Sequence, residues 1–426
     1  MSNKFVAPRG TQDIYGEQSK KWQSLERDAR AIAAKYHIEE IRTPIFEHTE
    51  VFKRENDASD MVNKEMYTFI DKGDRSLTLR PEATAGISRA FVEHKLYANG
   101  KGVQRYFSIG PNFRYERPQK GRMRIFNQFN IEVFSEANPV VDVETIMIGL
   151  DYIQKLGIKD FQVVINTLGD KESQKAYRDR LTEYFKPYVD TLCADCKRRY
   201  TQNPLRILDC KVDGDKPEVV NAPKSRDSLN ETSRVYFETV CSLLDSMHIN
   251  YRVDDSMVRG LDYYNHTVFE VVSTDPNAGA QSTIFAGGRY SEMVEYFGGP
   301  KTDAIGFAIG LERALIYAEM SGTHFDTEDH IDVYGMPRDK ESVLSIFKAI
   351  QALRHEGFIC DFDHDVRSMK AQFKTVDRTH AKVVIICGEN ERANNQLTLK
   401  NIETQQQLQL SLEEGIETIK EWLKGA

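Results

Sequence analysis

The hydrophobic positions in the first half of the chain alternate between helical and strand spacing. Between residues 17 and 36, apolar side chains recur every three or four positions, which predicts an amphipathic helix. These side chains are Trp22, Leu25, Ala29, Ile32, Ala33 and Tyr36. A strand is predicted at 38–46, where Pro44 indicates a sheet edge or an interface because proline cannot donate a ladder hydrogen bond. A second helix at 140–156 and a strand at 161–166 follow.

The stretch 110–132 predicts two strands around a basic loop. Because alternate side chains of a strand share a face, polar groups gather on one side of this hairpin. They are Arg114 and Glu116 on the first strand, and Gln128, Asn130 and Glu132 on the second. Polar groups inside an apolar sheet are costly unless they meet a ligand, and the planar fork of an arginine suits phosphate. An ordinary solvent-facing hairpin with a charged tip remains the alternative.

The periodicity changes near the polar segment 321–330. Strands predicted at 331–334, 358–362 and 383–386 then alternate with helices, one of them at 340–356, which is typical of an open, partly parallel α/β domain. We therefore expect two domains, at 1–325 and 330–426. A helical, highly charged segment at about 170–257 interrupts the first domain as an insertion.

Composition narrows the class of protein. The chain has 426 residues, 29% of them charged, and a net charge of −8. No apolar run is long enough to span a bilayer, and the N-terminus lacks the apolar segment of a signal peptide, so we expect a cytoplasmic protein. The negative charge argues against a broad nucleic-acid footprint, but five cations cluster locally. They are Arg114, Arg117, Lys120, Arg122 and Arg124.

Three of the six cysteines are spaced like part of a zinc site. Cys193 and Cys196 form a Cys-x-x-Cys pair, and Cys210 follows. A fourth ligand is not evident, and Asp209 and His248 are the candidates. Ordinary reduced thiols are the other interpretation, and we favour it, so no protein-bound metal is expected.

Four further segments complete the pattern. They are 79–85 (Leu-Arg-Pro-Glu-Ala-Thr-Ala), 258–265 (Val-Arg-Gly-Leu-Asp-Tyr-Tyr-Asn), 286–290 (Ala-Gly-Gly-Arg-Tyr) and 306–313 (Gly-Phe-Ala-Ile-Gly-Leu-Glu-Arg). Together with the hairpin, they resemble class II aminoacyl-tRNA synthetases, and specifically the histidyl-tRNA synthetases. The resemblance implies an α+β catalytic domain with an antiparallel sheet, a helical insertion and a C-terminal α/β anticodon-binding domain. It also implies a homodimer formed through the first helix and strand, although that helix fits packing on its own core equally well.

The resemblance assigns roles to individual residues. Arg114 and Arg259 are the expected catalytic residues and also contact histidine, while Arg114, Glu116 and Arg313 bind ATP. The remaining histidine contacts are Glu82, Thr84, Gln128, Glu132, Tyr263 and Tyr264. As strand neighbours, Tyr263 and Tyr264 point to opposite faces, so at most one is expected to enter the pocket. Arg117, Lys120, Arg122 and Arg124 are expected to contact tRNA(His).

Histidine, ATP with Mg²⁺ and tRNA(His) are therefore the expected ligands. Glu312 is a candidate to help hold Mg²⁺, but a carboxylate at a helix start fits it better. Ala83, Asn130 and Ser291 depart from the family pattern near the pocket, and the loop at 55–59 is one residue short. The competing interpretation is the family's regulatory, histidine-sensing paralogue, which lacks catalytic residues and the C-terminal domain. Arg114, Arg259 and the C-terminal segment of this chain argue against it.

Overall fold

The computed structural model describes residues 5–53, 61–100, 102–119, 121–257, 263–278 and 282–424. The chain forms two compact units, Met1–Phe325 and Asp326–Ala426. No helix in the described ranges is long and apolar enough to cross a membrane.

In its described part, the larger unit is built on two sheets, one of eight strands and one of three, and on the helices between the strands. Its strands are β1 (Glu39–Glu40), β2 (Phe46–His48), β3 (Tyr67–Ile70), β4 (Ser76–Leu79), β5 (Gln104–Phe113), β6 (Ile125–Phe134), β7 (Phe161–Thr167), β8 (Tyr251–Val253), β9 (Tyr264–Ser273), β10 (Thr283–Tyr290) and β11 (Ala304–Gly310). Its helices are α1 (Glu17–Lys35), α2 (Thr84–Glu93), α3 (Pro139–Lys155), α4 (Lys171–Phe185), α5 (Ala194–Gln202), α6 (Pro217–Val220), α7 (Glu231–Ser246), α8 (Met293–Tyr296) and α9 (Leu311–Met320).

Among the described residues, eight strands form the main sheet in the order β1-β5-β6-β11-β10-β9-β7-β8. The six central strands are antiparallel, which confirms the predicted sheet, and the short strands β1 and β8 join the two edges in parallel. The predicted strand at 38–46 is wrong in one respect. It divides into β1 and β2, and Pro44 lies between them, where no ladder bond is needed.

One face of the sheet is apolar and carries the core. Alternate residues of β6, namely Phe129, Ile131 and Val133, are fully buried there. Helices α1, α3, α7 and α9 contribute their apolar stripes to the same cluster, including Trp22 and Leu25 of α1. The apolar face of α1 is thus used within its own chain. Helix α3 starts at Pro139 because the Asn138 side chain accepts a 2.9 Å hydrogen bond from the Val140 amide.

The segment between β7 and β9 has two parts. The first contains α4, α5 and α6 and has its own apolar cluster, which includes Tyr177, Phe185 and Ile207. The second part, also predicted as insertion, belongs to the main core. There, α7 buries Phe237 and Leu244 in the main cluster, and β8 pairs with β7.

The smaller unit has a five-stranded sheet among its described residues, in the order β13-β12-β14-β15-β16. These strands are β12 (Val333–Pro337), β13 (Cys360–Phe362), β14 (Val383–Cys387), β15 (Leu397–Asn401) and β16 (Gln407–Leu410). The helices are α10 (Val343–His355), α11 (Met369–Arg378), α12 (Glu389–Ala393) and α13 (Leu412–Lys424). β12 is parallel to β13 and β14, and the last two strands are antiparallel, which confirms the predicted partly parallel α/β fold.

Candidate active site

The polar face of the main sheet forms the floor of a cavity of about 320 Å³. This volume lies within the usual range for small-molecule sites, roughly 300–1,000 Å³. The predicted site residues among its lining are Glu82, Thr84, Arg114, Glu116, Arg122, Gln128, Glu132, Tyr263, Tyr264 and Arg313. Side chains that are distant in sequence therefore meet in one place, which the hairpin alone did not establish.

Strands β6 and β11 supply the centre of the floor. Gln128, Asn130 and Glu132 all line the cavity, as strand alternation predicts. Gly310 lies directly opposite Gln128, and Gly306 opposite Glu132. A Cβ atom at Gly306 would lie 2.1 Å from Glu132 Oε2, so only glycine leaves room for this carboxyl group. At Gly310, none of the residues that the structure describes lies within 4 Å of such an atom, its two chain neighbours apart, which leaves open space above the strand.

Glu132 is the most deeply buried acid of the cavity, with 1% of its surface exposed. The Thr84 hydroxyl donates to its Oε1, and the Tyr290 hydroxyl donates to its Oε2 at 2.7 Å. Burial raises the pKa of Glu132 to about 8, although both hydrogen bonds act in the opposite direction. Tyr290 was missed by sequence reasoning, although it ends the quoted Ala-Gly-Gly-Arg-Tyr motif.

Glu82 is held by the start of α2. Its carboxylate accepts hydrogen bonds from the amides of Thr84 (2.6 Å) and Ala85 (2.9 Å). Amides in the first turn of a helix have no acceptor within the helix, and the helix dipole also favours a negative charge there. The arrangement fixes a carboxylate at the cavity wall.

Tyr263 and Tyr264 both line the cavity, so the expectation that only one of them enters it is wrong. The reason is local: β9 begins at Tyr264, and Tyr263 lies in the preceding turn, where strand alternation does not apply. Their rings are 4.7 Å apart, and Tyr263 also packs edge-to-face on Tyr290 at 5.5 Å. The three phenols form one aromatic wall.

Arg114 and Glu116 lie beyond the end of β5, not on the strand as predicted, yet both line the cavity. The Arg114 Nε atom donates to the Pro81 carbonyl at 2.9 Å, and its guanidinium lies over the Phe126 ring at 5.2 Å. These contacts orient the guanidinium over the floor. Glu116 pairs with Arg122, so Arg122 belongs to the cavity wall as well as to the basic loop.

The first turn of α9 supplies a second cation. Arg313 donates from Nε to the Gly121 carbonyl (3.2 Å) and from Nη1 to the Thr283 carbonyl (3.1 Å). The neighbouring Glu312 accepts from the Asn127 amide at 2.9 Å, and burial raises the pKa of its carboxyl group. Glu312 therefore ties α9 to the start of β6 while lining the same cavity.

Arg117 and Arg124 do not line this cavity. Arg117 is exposed, and it lines a shallow groove with Arg9 and Arg124, whose guanidinium stacks on Tyr115 at 4.2 Å. Arg259, Lys120 and the loop at 55–59 lie outside the described residues. Arg289 of the Gly-Gly-Arg-Tyr motif does not line the cavity. It is fully buried and paired with Asp142, which also accepts from Thr267 Oγ1 at 2.6 Å.

The antiparallel sheet carries Arg114 just after β5 and Arg313 in the helix that follows β11. This arrangement is that of the class II aminoacyl-tRNA synthetases. The model of the histidyl-tRNA synthetase family matches residues 10–314, and that of the anticodon-binding domain matches 332–422. The histidine–tRNA ligases of Oceanobacillus iheyensis and Listeria monocytogenes are each 46% identical, and the alignments cover 98% and 94%, respectively, of both chains. The apo structure of the Staphylococcus aureus histidyl-tRNA synthetase is 38% identical, with a TM-score of 0.83 over 98% of this chain and 100% of that one. The chain belongs to the histidyl-tRNA synthetase family.

Proposed function

We propose that this chain activates L-histidine with ATP and transfers it to the 3′ end of tRNA(His). In the first step, a carboxylate oxygen of histidine attacks the α-phosphate, which forms histidyl-adenylate and releases pyrophosphate. A ribose hydroxyl of the tRNA then attacks the acyl carbon and releases AMP. The observation that carries this proposal is the convergence of Arg114, Arg313 and the buried Glu132 on one cavity.

Negative charge grows on the α-phosphate during activation, and fixed cations aimed there stabilise the transition state. Arg114 suits this role because its contacts with Pro81 and Phe126 orient it before the substrate binds. Arg259 is assigned to the opposite side of the phosphate by its sequence motif. Arg313 binds the triphosphate tail, and Glu116 lies beside the adenine.

Histidine selectivity rests on the buried end of the cavity. Glu132 and Tyr264 pair with the two ring nitrogens, and Tyr263 lines the same pocket. Glu82, Thr84 and Gln128 surround the α-ammonium group. A site of this kind rejects analogues without the ring nitrogens, because its own buried polar groups would then be left unpaired.

Mg²⁺ accompanies ATP and neutralises charge on the phosphate oxygens. The carboxylates of Glu270 and Glu312 line the cavity and supply the hard oxygen ligands that Mg²⁺ prefers. These two residues would hold the ion, while Glu312 also keeps its hydrogen bond to the Asn127 amide.

The tRNA acceptor end meets the basic loop, where Arg117, Lys120, Arg122 and Arg124 supply the charge. The smaller unit binds the anticodon, and the larger unit carries out both chemical steps. The reaction takes place in the cytoplasm.

A homodimer is proposed from an exposed apolar patch on the small sheet β2-β4-β3. Ile45, Phe46, Phe69 and Ile70 are all exposed there, and the rings of Phe46 and Phe69 are 6.4 Å apart. Sedimentation should therefore report a dimer for the wild type and a monomer for Phe46→Ser/Ile70→Ser. Leu344→Ser, an equally exposed change in the other unit, should leave the dimer intact.

ATP–pyrophosphate exchange with each amino acid in turn tests the reaction. Exchange should occur with histidine alone, and Arg114→Ala and Arg259→Ala should each lower it by roughly 10²-fold or more, the usual cost of one transition-state charge contact. Arg117→Ala is the matched control, because this exposed arginine should act only in transfer to tRNA. Histidine binding without exchange in the wild type would contradict the proposal.

A further inference from the structure

Three cysteines and one aspartate converge in the segment between β7 and α7. The sulfur atoms of Cys193, Cys196 and Cys210 and a carboxylate oxygen of Asp213 all lie within 4.8 Å of one another. Cys196 and Asp213 are fully buried, and Cys210 is 7% exposed. The three cysteines belong to the apolar cluster formed around α4 and α5, and none of the four residues lines the catalytic cavity.

The sulfur spacing suits a tetrahedral metal and not a disulfide. The Sγ atoms of Cys193 and Cys210 are 3.7 Å apart. Two thiolates about 2.3 Å from a tetrahedral zinc ion are separated by roughly 3.8 Å, whereas a disulfide bond is about 2.05 Å long.

The backbone supports the four groups in two similar turns. The Cys196 amide points to Cys193 Sγ at 3.5 Å, and the Asp213 amide points to Cys210 Sγ at 3.4 Å. Both pairs have the same three-residue spacing, so Cys193-x-x-Cys196 and Cys210-x-x-Asp213 are structurally equivalent. The Cys193 amide also donates to Asp213 Oδ2 at 2.8 Å, which links the two turns.

The charge balance is consistent with a cation. Asp213 is fully buried, and the Lys216 ammonium lies 2.8 Å from its Oδ1 atom. A divalent ion with three thiolates and this carboxylate carries a formal charge of −2, which Lys216 and the inward-pointing amides partly offset. Sulfur-rich ligand sets favour zinc over magnesium or calcium.

We propose that Cys193, Cys196, Cys210 and Asp213 bind one zinc ion as a closed, structural site. Four protein ligands leave no open position for a substrate. The ion would join the start of α5 to the turn at 210–213, and the thiols would release their protons to solvent as it binds. This replaces the sequence-based preference for metal-free thiols. It also replaces Asp209 and His248 as candidate fourth ligands, because neither belongs to the cluster.

Metal content and cobalt substitution of the full chain test this site. Protein purified under reducing conditions should contain about one zinc ion per chain, as measured by elemental mass spectrometry. After chelation, Co²⁺ should restore one equivalent with thiolate-to-cobalt charge-transfer absorption and the visible bands of a tetrahedral ion. Cys210→Ser should lose the charge-transfer intensity in proportion to the lost thiolate, and Asp213→Asn should weaken binding at least tenfold.

Cys241→Ser is the matched control, because Cys241 is a partly buried cysteine of α7 outside the cluster. It should keep full stoichiometry. If a variant does not fold, chelation of the wild type still decides the matter, since removing a bound ion should lower its Tm. The proposal would be overturned if the reduced wild-type chain took up no zinc or cobalt, or if folded Cys210→Ser kept the full charge-transfer intensity of the wild type. Histidine-dependent exchange is a separate readout, so either proposal can fail alone.

Discussion

The Tyr290 hydroxyl reaches across a strand to donate a 2.7 Å hydrogen bond to Glu132 Oε2. Tyr290 belongs to β10 and Glu132 to β6, and β11 runs between them. The contact exists because Gly306 of β11 has no side chain opposite Glu132. Glu132 of the hairpin and Tyr290 of the segment 286–290 are more than 150 residues apart, and they meet across Gly306 of the segment 306–313. All three segments are therefore needed to build the buried end of the cavity.

Tyr290→Phe should weaken histidine activation, because Glu132 loses a buried donor while the aromatic wall is kept. Loss of one buried hydrogen bond costs about 1–3 kcal/mol, so KM for histidine should rise roughly tenfold or more while KM for ATP stays the same. Tyr296→Phe makes the same chemical change at an exposed hydroxyl that bonds the Glu50 carbonyl. Steady-state exchange kinetics would contradict this role for Tyr290 if both variants behaved alike.

The raised pKa of Glu132 makes stability depend on pH. The folded-state pKa is about 8 and the ordinary value is 4.5, so the folded state holds more protons between these values. The contribution is complete below pH 4.5 and is lost as the pH rises through 8. Relative to Glu132→Gln, the wild type should therefore lose unfolding free energy across this window, by at most about 1.4 kcal/mol per pH unit.

Tryptophan fluorescence can isolate this effect. The chain has two tryptophans, and Trp22 lies in the catalytic unit while Trp422 lies in the other. Urea unfolding in a Trp422→Phe background therefore reports on the catalytic unit alone. A constant difference between wild type and Glu132→Gln from pH 5 to 9 would show that Glu132 does not titrate there.

Gly306→Ala and Gly310→Ala add the same methyl group at a crowded and at an open position of β11, so their effects on stability should differ. A methyl group at Gly306 would lie 2.1 Å from Glu132 Oε2 and 2.5 Å from the Ile131 carbonyl oxygen. We expect a loss of about 1–3 kcal/mol of stability and of histidine-dependent exchange. Gly310→Ala should leave stability within about 0.5 kcal/mol of the wild type, because no described residue other than its two chain neighbours lies within 4 Å of the added methyl group. Thermal unfolding of both variants checks the pair.

Asp142→Asn should destabilise the catalytic unit strongly. Asp142 and Arg289 are both fully buried, and removing one partner of such a pair typically costs about 3–5 kcal/mol. Glu144→Gln, on the same helix, breaks the partly exposed pair with Arg105 and should cost less than about 1 kcal/mol. Equal shifts in denaturant midpoint for the two variants would argue against a special role for the buried pair.

Arg117→Ala and Arg122→Ala should affect different steps. Arg117 is exposed, so its removal should raise KM for tRNA and reduce the salt dependence of that KM by about one unit of slope, with exchange unchanged. Arg122 pairs with Glu116 at the cavity wall, so its removal should also raise KM for ATP. Aminoacylation and exchange measured at several salt concentrations distinguish the two outcomes.

The sequence by itself determined the family, the two-domain fold and most of the cavity lining, because these depend on local periodicity and contiguous motifs. Gln128, Asn130 and Glu132 share a face for the simple reason that β6 is a regular strand. The same rule failed at Tyr263, where a turn replaced the strand, and at Arg114, which lies past the end of β5.

Only the tertiary structure decided which distant groups meet. Three contacts depend on strand order and helix packing, which no local pattern encodes. They are the hydrogen bond of Tyr290 to Glu132, the ion pair of Asp142 with Arg289, and the group of Asp213 with three cysteine sulfurs. Burial is likewise a property of the assembled fold, and burial moves the pKa of Glu132 far from its ordinary value. The motifs identify the chemistry, and the packing around them sets its energetics.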